Sequence, residues 1–190
     1  MTSPADRPSC AVLVVCTGNI CRSPAAEALL GAAWGDAPGL TVSSAGLHAR
    51  VGEPMAEPMA ALLDVPLPGF RARQLTPALV RQADLVLTMT RDQRARVVTA
   101  EPSAVRRTFT LREFADLADL AGNGPDPAAD GSPAQRWAAF VRAAPRFRSR
   151  RTAGPEDDIA DPYGHDAAAY AAAMSQVDEV VTRLVGALGD

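Results

Sequence analysis

The sequence predicts an α/β fold: a four-stranded parallel sheet with helices on both faces and a phosphate-binding loop after the first strand. Three observations carry this. Short β-branched apolar runs alternate with helical patterns along much of the chain. The first run, "AVLVV" at Ala11 to Val15, is continuously apolar, as expected of a strand buried on both faces. It stops on Cys16 and gives way to the small polar loop "TGNIC", which leads directly into an alanine-rich helix.

Taken in order, Ser23 can cap that helix and Pro24 fits its first turn, where a missing N–H costs nothing. The helix should run to about Trp34. "LTVSSAG", Leu40 to Gly46, reads as the second strand, closed by a glycine turn. "PMAEPMAALLD" is helical at least in its second half. "ADLVLTMT", Ala83 to Thr90, reads as the third strand and "RDQRARVVTA" as the helix behind it. "RRTFTL", Arg106 to Leu111, is a short fourth strand followed by the helical "REFADLADLA".

At "GNGPDPAADGSP", Gly122 to Pro133, the alternation breaks into linker composition. Beyond it Trp137, Phe140, Val141 and Ala144 recur at helical spacing. The basic stretch "RAAPRFRSRR", Arg142 to Arg151, reads either as a solvated arm or as a positive rim that attracts phosphorylated or acidic substrates. A last helix, about Asp166 to Leu188, presents Tyr170, Met174, Val177, Val181, Leu184 and Leu188 as its buried stripe. The expectation is one domain over residues 1–190, with an insertion around 122–155.

Bulk properties exclude several classes. The chain has 190 residues and a formal net charge of -3, which favours neither nucleic acid nor an anionic membrane as a partner. All 19 basic residues are arginine. "MTSPADRPS" lacks the apolar core of a signal peptide, and three cysteines do not make a secreted disulfide framework. A cytoplasmic protein is the expectation.

The loop itself is where the chemistry concentrates. Ligands of parallel α/β sheets bind at the carboxyl ends of strands, where Cys16 stands. Gly18 and Asn19 tolerate positive φ, so the loop can turn its backbone N–H groups inward as an anion nest. The helix N-terminus adds its dipole, which favours both a phosphate and a thiolate. Arg22 can grip two phosphoryl oxygens in a fork, and the Ser23 hydroxyl can donate to the Cys16 sulfur. This implies attack of sulfur on phosphorus, with Thr17, Gly18, Asn19, Ile20, Cys21 and Arg22 around the phosphoryl oxygens. An acid is needed for the leaving oxygen. Asp161 in "DDIADPYG" is the candidate, with Tyr163 as an aromatic wall; a helix-entry turn is the plainer reading of the same residues.

The segment Val12 to Pro24, with its C-x5-R-S-P core, resembles the active-site signature of the low-molecular-weight protein tyrosine phosphatases. "SSAG" at Ser43, "ADLVLTMT" and "DPYG" at Asp161 match other signature regions in the expected order. The resemblance covers about residues 10 to 111 and about 157 to the end. It implies Cys16 as nucleophile forming a phosphocysteine, Arg22 as phosphate clamp and Ser23 as an aid to the sulfur. Asn19 would hold the loop, and Asp161 would serve as acid and then base. It implies no metal and no cofactor, and a phosphotyrosine-containing protein as substrate.

Ile20 goes with phosphotyrosine in this family, whereas threonine there goes with phosphoarginine phosphatases. Many relatives place a tryptophan where this chain has "LHAR", so His48 or Arg50 would take over that pocket wall; His48 as a solvated loop residue is the other reading. Ala56 replaces a common acidic residue. Cys21 has two open readings, a buried small hydrophobe or a reversible disulfide partner of Cys16.

Two other functions share features of this loop. An arsenate reductase of the same fold that uses protein thiols needs resolving cysteines downstream. None follows Cys21, which leaves only a route through an external thiol. A binding module without turnover has no support, since Cys16, Arg22, Ser23 and Asp161 are all present. Cys16, Cys21, His48 and His165 lack metal-ligand spacing.

Overall fold

The computed structural model describes residues 9–122 and 131–188. Four strands, β1 (Cys10–Cys16), β2 (Leu40–Gly46), β3 (Leu85–Thr88) and β4 (Thr108–Thr110), form one all-parallel sheet in the order β2-β1-β3-β4. The chain leaves β1 towards β2 on one side and returns to β3 on the other. The loop after β1 therefore opens at the point where the winding reverses, the usual ligand crevice of such sheets.

Alternation along β1 explains its unbroken apolar run. Val12 and Val14 enter one core cluster and Leu13 and Val15 the other. The first cluster receives α1 (Arg22–Trp34), α5 (Leu111–Gly122), α6 (Pro133–Ala143) and α7 (Ala167–Leu188), through residues such as Leu30, Phe114, Phe140 and Val181. The second receives α3 (Pro77–Gln82) and α4 (Arg91–Ala100), through Val80 and Val97. Helices thus cover both faces.

Several local expectations are corrected. Helix α1 begins at Arg22, so Ser23 lies inside its first turn and caps nothing; its hydroxyl is spent on the loop. The "PMAEPMAALLD" segment yields only the single turn α2 (Glu57–Ala60). Strand β4 is shorter than Arg106–Leu111 because Pro102–Arg107 forms a 3₁₀ helix and Leu111 already starts α5.

Residues 123–130 of the expected linker lie outside the described residues. Ser132 then opens α6 with a reciprocal capping box, accepting from the Gln135 N–H while Gln135 Oε1 accepts from the Ser132 N–H. Trp137 is fully buried, edge-on to Trp34 with ring centroids 4.9 Å apart. The basic stretch is neither a free arm nor a uniform rim. Arg148 pairs with Glu113 at 2.8 Å and lies over the Phe109 ring, and Arg151 is drawn in against Asp157 and Asp116. Arg142, Arg146 and Arg150 stay exposed. Among the described residues no helix is long and apolar enough to cross a membrane.

Candidate active site

The loop from Cys16 to Arg22 is shaped by its carbonyls. Those of Cys16, Thr17, Gly18 and Ile20 accept from the N–H groups of Leu47, His48, Arg50 and Ala56, at 2.8 to 3.0 Å. In a planar trans peptide the next N–H points the opposite way, so those of Thr17, Gly18, Asn19 and Cys21 are turned from that segment towards the loop's interior. The Asn19 N–H indeed donates to Cys16 Sγ at 3.3 Å. Asn19 makes the bend with φ 56°, the one positive φ of a non-glycine residue among the described residues.

Asn19 is also the hub that locks the bend. Its amide Nδ2 donates to Ser23 Oγ at 3.0 Å and to Ser44 Oγ at 2.7 Å, and its Oδ1 accepts from the Arg73 N–H at 2.9 Å. The Ser44 hydroxyl donates to Glu27 Oε2 at 2.6 Å. Ser23 Oγ lies 3.0 Å from Cys16 Sγ. Gly46, which ends β2, sits so close that a Cβ there would stand 2.6 Å from the Thr17 carbonyl oxygen. That explains the glycine of "SSAG".

Arg22 is 2 % exposed despite its charge. Nη1 donates to the Ile159 carbonyl at 2.8 Å, Nη2 pairs with Asp161 Oδ2, and Nε is buried without a hydrogen-bond partner. Asp161 thus returns from the far end of the chain to the loop. A cavity of about 140 Å³ is lined by Cys16, Thr17, Gly18, Ile20, Cys21 and Arg22, together with His48, Arg50, Asp161 and Tyr163. Of the residues singled out in sequence, Asn19 and Ser23 do not line it. They lie fully buried behind it.

The profile of the low molecular weight phosphotyrosine protein phosphatases matches residues 11–144. The chain belongs to that family. The low molecular weight protein-tyrosine-phosphatase Etp of Escherichia coli K12 is 38% identical over 119 residues, spanning 61% of this chain and 76% of its own. Among solved structures, the tyrosine phosphatase AmsI of Erwinia amylovora superposes with a TM-score of 0.67 at 28% identity, covering 95% of this chain and 93% of that one. The arginine phosphatase YwlE of Geobacillus stearothermophilus superposes with a TM-score of 0.66 at 29% identity, covering 94% and 92%.

In this tyrosine phosphatase one wall of the pocket is a stacked pair, Arg50 and Tyr163. The Arg50 guanidinium lies 4.6 Å from the Tyr163 ring centroid, and Tyr163 is half exposed. His48 is an exposed loop residue at the cavity lining, with its Nε2 3.4 Å from Arg96 Nη1. Cys21 is buried below the mouth, and burial pushes its thiol up to about 12. Cys16, Cys21 and Cys10 are all free thiols. Among the described residues no group of three or more His, Cys, Asp or Glu side chains is placed to hold a metal ion.

Some of the phosphatase's supporting residues escaped sequence reasoning. Gln93 is buried, donating to Thr17 Oγ1 at 3.1 Å while accepting from the Met89 N–H at 3.0 Å. Arg73, through its Nε, donates to the Ser44 carbonyl at 2.7 Å. Glu27 is half-buried, and burial raises its carboxyl above the usual range. No spacing links these residues to the loop, and Gln93 stands in the polar first turn "RDQR", where nothing in the sequence sets it apart from its exposed neighbours.

Proposed function

We propose that this phosphatase hydrolyses phosphotyrosine in proteins through a phosphocysteine on Cys16, with Arg22 as clamp and Asp161 as acid and base. The observation that carries the reading is the convergence of Cys16, Arg22 and Asp161 on one small cavity floored by inward N–H groups. The buried, unpartnered Nε of Arg22 supports it further. A phosphoryl oxygen would satisfy that donor, and burial of an unpaired charged donor is otherwise costly.

In the first step the Cys16 thiolate attacks phosphorus, forming S–P as the P–O bond to the phenol breaks. The Asp161 carboxyl gives its proton to the departing oxygen. Charge gathers on the three equatorial oxygens, which the loop N–H groups and Arg22 receive. The Ser23 hydroxyl and the Asn19 N–H stabilise the sulfur as leaving group and nucleophile. In the second step the Asp161 carboxylate takes a proton from water. The hydroxide attacks phosphorus and the S–P bond breaks, returning the thiolate and free phosphate. Ile20 in the lining and the Tyr163 ring at the mouth favour an aromatic phosphomonoester over phosphoarginine.

Hydrolysis of an aryl phosphate, with EDTA and reductant present, tests this in wild type and Cys16→Ser. Turnover that survives chelation and vanishes in the variant is the expected result. A folded, reduced wild type without turnover would overturn it. Phosphotyrosine and phosphoarginine peptides are then compared directly, with the former expected to be the better substrate.

A further inference from the structure

We propose that Arg151 is a positioning residue for the general acid: by clamping Asp157 it fixes the backbone segment that carries Asp161. The inference rests on the reading of Asp161 as the acid.

Residues 158–165 form neither helix nor strand, so side-chain anchors must decide where Asp161 points. The deepest polar anchor is Asp157, 3 % exposed, at the end of the short 3₁₀ turn Pro155–Asp157, two residues before the fully buried Ile159. Arg151 takes both of its carboxylate oxygens in a fork, Nη1 on Oδ2 at 3.2 Å and Nη2 on Oδ1. The same Nη2 donates to Asp116 on α5 at 3.0 Å, and Asp116 accepts from Arg183 on α7 at 2.9 Å. The fork is therefore itself braced by two helices.

Two residues further on, the Ile159 N–H donates to the Met89 carbonyl at 2.8 Å and the Ile159 carbonyl accepts from Arg22. The backbone is thus pinned at Asp157 and at Ile159, and this register aims Asp161 back at the Arg22 guanidinium. Arg91 and Asp158 pair between these points at 3.0 Å, a partly exposed and therefore partly screened contact that adds to the anchoring. Removing Arg151 would leave the Asp157 carboxylate buried without its cation. It would then move to water or take up a proton, and either change releases the segment. Proton transfer tolerates little displacement.

A displaced acid has a signature that lost stability lacks. It harms substrates with poor leaving groups and spares those with good ones. The test is kcat/KM over aryl phosphates from phenyl to dinitrophenyl, with folding checked by thermal melting. Arg151→Met should lower phenyl phosphate turnover by about 10–100-fold and dinitrophenyl phosphate by less than about 3-fold. Arg151→Lys, which keeps the charge and loses the fork, should fall between. If Arg151→Met does not fold, Arg151→Lys and Asp157→Asn carry the same comparison. An equal loss across the series, or no loss, would overturn the proposal. Asp161→Asn run in parallel separates the two readings. A steep leaving-group dependence there with a flat one in the Arg151 variants rejects only the clamp, whereas a flat one in Asp161→Asn rejects the acid itself.

Discussion

The amide of Asn19 donates to the Ser23 hydroxyl at 3.0 Å, which leaves that hydroxyl its own proton to direct at Cys16 Sγ, 3.0 Å away. The polarity runs from Asn19 through Ser23 to the sulfur. A hydrogen bond to a charged partner is worth about 1.5–3 kcal/mol, so Ser23→Ala should lower kcat by about 10–150-fold. KM should change little, because the sulfur's charge matters to chemistry more than to binding. Steady-state kinetics on an aryl phosphate check this, and a change confined to KM would contradict it.

Gly46 supports the loop from behind, and Gly46→Ala should displace it. The added Cβ would meet backbone at 2.6 Å on Thr17 and 3.0 Å on Asn19, neither of which can swing away as a side-chain tip could. Turnover should fall by about 100-fold while far-ultraviolet circular dichroism stays native, the scale expected when a reacting group shifts by an ångström. Wild-type activity in the variant would show that the loop has slack.

Cys10, fully buried at the start of β1, gives stability a pH dependence. Burial first, and the Asp84 carboxylate second, push its thiol from 9.0 up to about 12. The unfolded thiol ionises above pH 9 while the folded one does not, so stability is full below 9 and is lost as pH rises towards 12. From about pH 8 to about pH 10 this one thiol removes about 1.4 kcal/mol. Urea unfolding at the two pH values should show Cys10→Ala losing that much less than wild type.

Trp137 tests whether the stretch around 122–155 folds with the rest of the chain. Its ring is fully buried between Trp34 and Phe114. Trp137→Ala should cost about 3–5 kcal/mol and shift a single unfolding transition as a whole. A separate early transition that alone responds to the substitution would mark α6 as an independent layer.

The expectations met different fates for physical reasons. The β1–loop–α1 unit was legible because Cys16, the turn residues and Arg22 are chain neighbours, and their types alone suggest an anion nest. Of the two readings of Ser23, the helix cap fails and the contact with Cys16 holds: its hydroxyl lies between Asn19 and the sulfur inside the first turn of α1. In the basic stretch the solvated reading holds for Arg142, Arg146 and Arg150 and fails for Arg148 and Arg151, because Glu113, Asp116 and Asp157, which draw those two inward, lie elsewhere in sequence.

By itself the sequence determined the alternation of strands and helices, the two-faced burial of β1 and the residue types of the phosphate loop. All of these follow from periodicity and from short-range backbone preference. Tertiary structure alone decided which carbonyls the Leu47–Ala56 segment would hold, how Gln93 and Arg73 brace the loop, and where Asp161 meets Arg22. Those contacts join residues far apart along the chain. Only packing of the sheet and its helices brings them within hydrogen-bonding reach, and no local propensity encodes it.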